Sequence, residues 1–504
     1  MPRMALHSTF FLKANIPDDF DYFFKNGTPI HRVQRKDFHN KPQEWEVYSL
    51  YLGLKALECR ENVKYTKLKK KIIEAILMRQ ESCGGFWYQN QWTNSGKEIH
   101  LRYSAAAIRL LTEAYNDKLI EKKETVLNPL LFHLSFYDKL NNGSLWFLHD
   151  SLEHPETKFN FYSKKNVEVN RLWGSSLTNQ LVLNTHLDTL VTILYALFYI
   201  HDLSDREKEI LTNYTKLGLS GLKLVLTPRL KIIRYLYQYI DKFARNKHFR
   251  KYDHTKYRFK FLVTQKKTNK LFRIIYRLRP LDFYFLFIRT KLKSMSGLYI
   301  HKDGFIDRDL TIKGRPALYH LINIWDFAEL AHLLRFTKIE NSLVNQIDDY
   351  VQKGIEYSFS STYNDFIKDS FEYYCVAILL CEILYIQFQR FGEITAERIK
   401  RYIFIRKNLP PSPALLGYDP AIILPQLTCE YKKLETLNIN ATKADVLILD
   451  INKYLIINIS NSDIILPKNK LNRFKLISFL KRYHTSNDKV IIKPGAAVLL
   501  EKIK

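Results

Sequence analysis

Over the first four-fifths of the chain, two kinds of helical stretch alternate. One kind is apolar nearly all round: residues 44–58 (EWEVYSLYLGLKALE), 98–115, 176–200, 315–336 and 370–388. The other keeps its apolar positions on a single stripe, as in 65–79 (YTKLKKKIIEAILMR) and 340–357 (ENSLVNQIDDYVQKGIEY). A helix apolar around its whole circumference must be buried, whereas a striped helix lies on the surface. The alternation therefore predicts helical hairpins with an inner and an outer layer. Three of the apolar helices follow a Gly-containing loop that carries an aromatic: CGGFWYQNQW at 83–92, NNGSLWFLHDSLE at 141–153 and KDGFIDRDL at 302–310. The repeated unit predicts a mainly α chain whose residues 41–405 form an α/α toroid, a closed relative of the helical solenoid, of about five or six hairpins.

After LPPSPALLGYDP at 409–420 the apolar period falls to two. DVLILD (445–450), YLIINIS (454–460), DKVIIK (488–493) and the closing PGAAVLLEKI read as strands. Residues 410–504 are thus expected to form a small β-rich C-terminal domain, and residues 1–40 an N-terminal segment.

Charge adds one feature that periodicity does not show. The chain of 504 residues carries a net +27, and residues 221–294 hold twenty-one Lys and Arg against Asp241, Asp253 and Asp282. Aromatic and aliphatic residues interleave with these cations, as in KLFRIIYRLRPLDFYFLFIRTKLK. A basic helical insertion at about 221–300 is expected. Peripheral contact with an anionic membrane or an acidic polymer follows from it; nucleic acid is not expected, since no nucleic-acid motif is present. The plainer reading has these Lys and Arg facing water with their stems over apolar surface.

The five cysteines are odd in number and none are in C-x-x-C spacing, which disfavours a disulfide framework or zinc ribbon and suits a reducing compartment. The N-terminus lacks the apolar core of a signal peptide, and residues 181–200 contain Asn184, His186 and Asp188, so they read as a buried helix. The expected location is cytoplasmic, peripheral at the inner face of the membrane.

Polar residues near the starts of buried helices are the candidates for chemistry. Asn184 and Asp188 share a helix face, and His186 points elsewhere. Asp188 suits general acid or base work, with Asn184 binding a hydroxyl or carboxylate; the alternative is a core Asp held by backbone or Arg. Tyr319, His320 and Asn323 form a second set. Glu98, His100 and Arg102 form a third, in which Arg102 either pairs with Glu98 one turn away or clamps a substrate carboxylate. Asp303, Asp307 and Asp309 crowd one loop and suit paired-carboxylate chemistry, although their spacing is not that of an EF-hand. His149, Asp150, Glu153 and His154 match no metal template. Trp87, Trp92 and Trp146 suit sugar stacking or simple packing. No metal or cofactor is expected.

A Gly-aromatic loop feeding an inner helix, repeated and followed by a β module, resembles the six-hairpin carbohydrate enzymes and the toroid polysaccharide lyases of the heparinase and alginate-lyase kind, including uronyl epimerases. The local match is DGFIDRDL…ALYHLINIW at 303–325, and IIKPGAAVLLE is similar to the last strands of many carbohydrate-enzyme β modules. The resemblance implies an anionic, uronate-containing polysaccharide or lipid-linked glycan as substrate. Lyase, C5-epimerase or hydrolase chemistry would act on it, in polysaccharide assembly. It also implies base and acid roles for Tyr319 and His320, with Asp188 as a third catalytic group. Arg102, Asn184, Asn323, Trp87, Trp146 and Asp303 would then bind substrate. Toroids of the terpene-cyclase, prenyltransferase and lanthionine-cyclase kinds fit less well, for want of a D-x-D-D motif or a zinc Asp/Cys/His set. The other reading is a non-catalytic scaffold that binds polyanions or membranes.

Overall fold

The structure is a computed structural model. It describes scattered positions between 48 and 58, residues 64–86, 88–89, 97–154, 173–176, 179–227, 231–244 and most of 292–310. It also describes 317–359, 370–406 and, apart from four positions, 444–503. Trp87, Trp92 and most of the basic block lie outside the described residues.

After helical residues among 48–58, the chain forms α1 (Thr66–Leu77), the short pair β1 (Tyr88–Gln89) and β2 (Lys97–Glu98), α2 (Leu101–Asn116) and α3 (Glu124–His133). A second hairpin, β3 (Tyr137–Lys139) and β4 (Leu145–Phe147), leads to α4 (Leu183–Tyr199), α5 (Asp205–Leu226) and α6 (Lys231–Ala244). Next come α7 (Ala317–Thr337), α8 (Asn341–Ser358), α9 (Ser370–Phe391) and α10 (Ala396–Arg406). The all-round apolar helices α2, α4, α7 and α9 pack on one another in chain order, and the striped helices pack outside them. Helix α5 opens with a Ser204–Glu207 capping box, in which the Ser204 hydroxyl accepts the Glu207 N–H and the Glu207 carboxylate accepts the Ser204 N–H.

The internal repeat is visible in the backbone. In each of three turns, one residue's N–H donates to the carbonyl four residues on, and a glycine N–H donates back to that first residue. The pairs are Glu81 to Gly85 and Gly84 to Glu81, Leu140 to Ser144 and Gly143 to Leu140, and His301 to Phe305 and Gly304 to His301, all 2.8–2.9 Å. Gly84, Gly143 and Gly304 have φ of 89°, 82° and 91°, which is why glycine recurs there.

A second repeat joins inner to outer helices. His186 Nδ1 accepts the Phe147 N–H at 3.0 Å, and its Nε2 meets the Gly218 carbonyl of α5 at 3.1 Å. His320 Nδ1 accepts the Ile306 N–H at 3.0 Å, and its Nε2 meets the Gly354 carbonyl of α8 at 3.2 Å. In both cases the residue one turn later, Leu190 or Ile324, fills the space a side chain at that glycine would need. An accepting Nδ1 places the ring proton on Nε2, so each imidazole is a neutral bolt between a turn and two helices.

The C-terminal domain consists of β5 (Ala444–Asp450), β6 (Lys453–Asn458), β7 (Ile464–Pro467), the single turn α11 (Lys468–Leu471), β8 (Phe474–Ser478), β9 (Tyr483–Thr485), β10 (Lys489–Ile492) and β11 (Ala497–Lys502). They form antiparallel sheets in the orders β5-β6-β11-β8 and β7-β10-β9. Leu455, Ile457, Ala497 and Leu499 join the helical core, whereas Tyr454, Ile456, Val498 and Leu500 meet Ile464, Leu466, Val490 and Ile492 of the second sheet. Burial of both faces explains the unbroken apolar runs in these strands. Among the described residues, no helix is long and apolar enough to cross a membrane.

Candidate functional site

The starts of the inner helices converge, but the residues gathered there differ in part from those the sequence singles out. His100 precedes α2 and stacks on Tyr103, with ring centroids 4.2 Å apart. The His149 ring meets His100 edge-on at 4.4 Å, and its Nδ1 lies 2.6 Å from Thr185 Oγ1 in the first turn of α4. Asn184 is the neighbour of Thr185. The Leu183 N–H donates to the Arg308 carbonyl (2.8 Å), which fixes the segment leaving the third turn beside α4. From there the Arg308 guanidinium lies 4.4 Å over the Tyr319 ring on α7 and contacts Asp309 at 3.1 Å. His100, His149, Arg308 and Tyr319 are all half-buried, and so remain reachable.

Electrostatics make this cluster a set of neutral rings among cations. Burial holds His100 down to about 3, with Arg102 and Arg308 adding to the effect. His149 is lowered well below the usual imidazole range by burial, then by His100, Arg308 and Arg102. Both rings are therefore uncharged at neutral pH, poor as bases and suited to donating a neutral N–H. Beneath His149, Glu153 Oε2 accepts the His149 backbone N–H at 2.9 Å. Burial pushes that carboxyl up to about 8, with Asp150 and Asp309 nearby adding to it.

Several of the proposed site residues serve the framework. Asp188 is buried, 2.6 Å from Arg109 and 3.4 Å from Arg102. Arg102 also reaches Asp326 at 3.2 Å, and Arg109 reaches Glu329 at 3.6 Å. This ionic network ties α2, α4 and α7 together in the interior, the core-Asp alternative for Asp188. Glu98 lies in β2 and not on α2, so the helical spacing that would pair it with Arg102 does not apply. His320 is wholly buried, with both ring nitrogens engaged as described.

Trp146 is 0 % exposed and stacked 4.0 Å above His186, so it offers no face to a sugar. Asn323 is buried and donates to the Asp307 carbonyl at 3.0 Å. Asp303 is exposed on the third turn, where its Oδ1 accepts the Phe305 N–H. Asp307 is buried between Lys293 (3.2 Å) and His301 (3.3 Å), which, against the effect of burial, hold it well below the usual carboxylate range. Among the described residues, no group of three or more His, Cys, Asp or Glu is arranged to hold a metal ion.

Of the proposed site residues, Tyr319 thus belongs to the cluster; Asn184 is buried beside Thr185 at the start of α4, and Arg102 adds charge to the two imidazoles. Sequence reasoning overlooked Arg308 and Thr185. The signal for Arg308 was present, a single cation between Asp307 and Asp309 four residues after the turn glycine. His149 and His100 were visible, but in the wrong company, because the contact between them joins residues 49 positions apart. Comparison with known protein families, curated proteins and solved structures finds no match to this chain, so the reading of the site rests on its own geometry.

Proposed function

We propose that the layered hairpins close as an α/α toroid and that the cluster at the inner-helix starts acts on a uronate-containing polysaccharide or lipid-linked glycan. The observation that carries this reading is the half-buried grouping of neutral His100 and His149 with Tyr319 beside Arg308. Removal of the proton α to a uronate carboxylate needs three things: a cation on the carboxylate, a base at C5 and a donor for the developing enolate. Arg308 supplies a planar cation suited to a carboxylate. Tyr319 takes the proton, and the neutral His149 ring donates to the enolate oxygen. Transfer of that proton from Tyr319 to the departing glycosidic oxygen, as the C4–O bond breaks, then completes a lyase reaction, whereas return of a proton to C5 on the opposite face completes an epimerase reaction. Hydrolysis is less well supported, because it needs two available carboxyl groups. Asp309 is engaged by Arg308, and Glu153 accepts backbone N–H groups.

Proton NMR of the full chain with a panel of uronate polymers in deuterated water tests this. New vinyl signals identify a lyase, and deuterium gained at C5 an epimerase. New reducing ends with neither of these replace the reading with hydrolysis. Binding without any chemical change across the panel replaces it with the polyanion-binding scaffold.

A further inference from the structure

Helix α6 is the described edge of the basic block, and it is amphipathic in an unusual sense. Tyr237 is 1 % exposed and meets the His301 ring edge-on at 6.4 Å; Ile233 is buried beside it. Arg234 reaches back to the Leu226 carbonyl at the end of α5 (3.1 Å). These contacts fix the rotation of the helix. Its other face presents Ile232, Tyr235, Leu236 and Tyr239, which are 69 %, 61 %, 49 % and 75 % exposed. Their spacing of three, one and three residues places all four on one stripe, so the outward face is as apolar as the inward one.

We infer that this outward face of α6 is a docking surface for an anionic lipid bilayer, with the helix lying flat in the headgroup region. Charge complementarity selects the occupant. Residues 221–294 carry twenty-one Lys and Arg against three Asp, and Lys302 sits 5.9 Å over the Tyr235 ring at the stripe itself. A stripe of tyrosine and aliphatic side chains within a strongly cationic stretch is the composition of an interfacial helix: apolar groups enter the acyl boundary, phenols stay at headgroup level and cations meet lipid phosphates. At 14 residues, α6 is too short to span a bilayer. The same contacts place the surface next to the candidate site. His301, against which Tyr237 packs, contacts Asp307, and Arg308 is the next residue. A bilayer on α6 therefore brings a membrane-borne substrate close to Arg308 and Tyr319. The docking surface itself does not depend on which reaction occurs there.

Co-sedimentation of the full chain with vesicles of phosphatidylcholine, with and without phosphatidylglycerol, tests the inference. The wild type is expected to pellet with the anionic vesicles, less so as salt rises. Tyr235→Ser combined with Tyr239→Ser is expected to weaken that binding by about tenfold or more, with unchanged helical circular dichroism and unchanged melting. No binding to anionic vesicles would overturn the inference, as would equal binding by the variant, which would leave the cations alone responsible. A fall in melting temperature or a change in oligomeric state in the variant would also overturn it, by showing the stripe to be covered by this chain or a second copy. So would binding to RNA in place of vesicles.

Discussion

The Asp188 carboxylate on α4 lies 2.6 Å from the Arg109 guanidinium on α2, and both side chains are buried. Removing one member of a buried pair leaves the other uncompensated, at a cost of about 3–5 kcal/mol. Asp188→Asn is therefore expected to lower the unfolding free energy by that amount, read as a lower urea midpoint. An Asp188 that acted on substrate would instead lose turnover while keeping its midpoint.

Arg308→Ala and Tyr319→Phe should behave in the opposite way. Both residues are half-buried and neither joins the core network. Under the proposed chemistry each variant loses about a hundredfold or more in turnover, with a midpoint close to wild type. NMR rates on the responsive polymer, set beside urea titrations, separate the two classes.

Gly143 and Gly304 share a positive φ but not their surroundings. Nothing lies within 4 Å of where a Gly143 side chain would begin, whereas at Gly304 the Lys353 carbonyl of α8 would be 2.0 Å away. Gly143→Ala is expected to cost only the backbone strain, about 1 kcal/mol. Gly304→Ala must also push the turn off α8, and should cost several times as much in a thermal melt.

Acid should unfold the chain through its histidines. Burial lowers His186 to about 3 and His133 to about 4; it also lowers His332 to about 4, with Arg390 and Arg335 adding to the effect. An unfolded histidine titrates near 6.5. The unfolded state therefore binds more protons between these limits, and stability is full above about 6.5 and falls as pH drops toward 4. His332→Gln should remove about one proton from that slope, a change of about 1.4 kcal/mol per pH unit.

Glu153 works in the reverse direction. Its folded carboxyl is pushed up to about 8 by burial, against 4.5 for a free glutamate, so folding favours its neutral form. This contribution is full below about 4.5 and is lost as pH rises toward 8. Glu153→Gln should flatten the alkaline limb of the stability curve, and because Glu153 holds the His149 backbone, any activity should lose part of its pH dependence as well.

The layering of the helices was legible because it depends on local period. α7 and α8 begin and end within a residue or two of the stretches read from apolar spacing, as do β5, β6 and β10, whereas β7, β8 and β9 were not read. The start of α4 was not legible. Residues 176–182 carry no helix breaker, yet α4 begins only at Leu183, where the chain is pinned to the Arg308 carbonyl. The roles of the polar residues were hidden for a similar reason. Arg109 and Asp188 are 79 positions apart, and Arg102 and Asp326 are 224 apart. Spacing within one helix says which side chains share a face, but not what another helix brings against that face.

The repeated histidine bolts have an architectural consequence. Each bolt closes within one unit, joining a turn to its own inner helix and to the outer helix that follows. Between one outer helix and the next turn the chain crosses a seam that no such bolt spans among the described residues. The cationic stretch lies in one of these seams, between α5 and the turn at His301. Additions at a seam leave each unit's fastening intact, so chain can be gained, lengthened or exchanged there without redesign of the packed helices on either side.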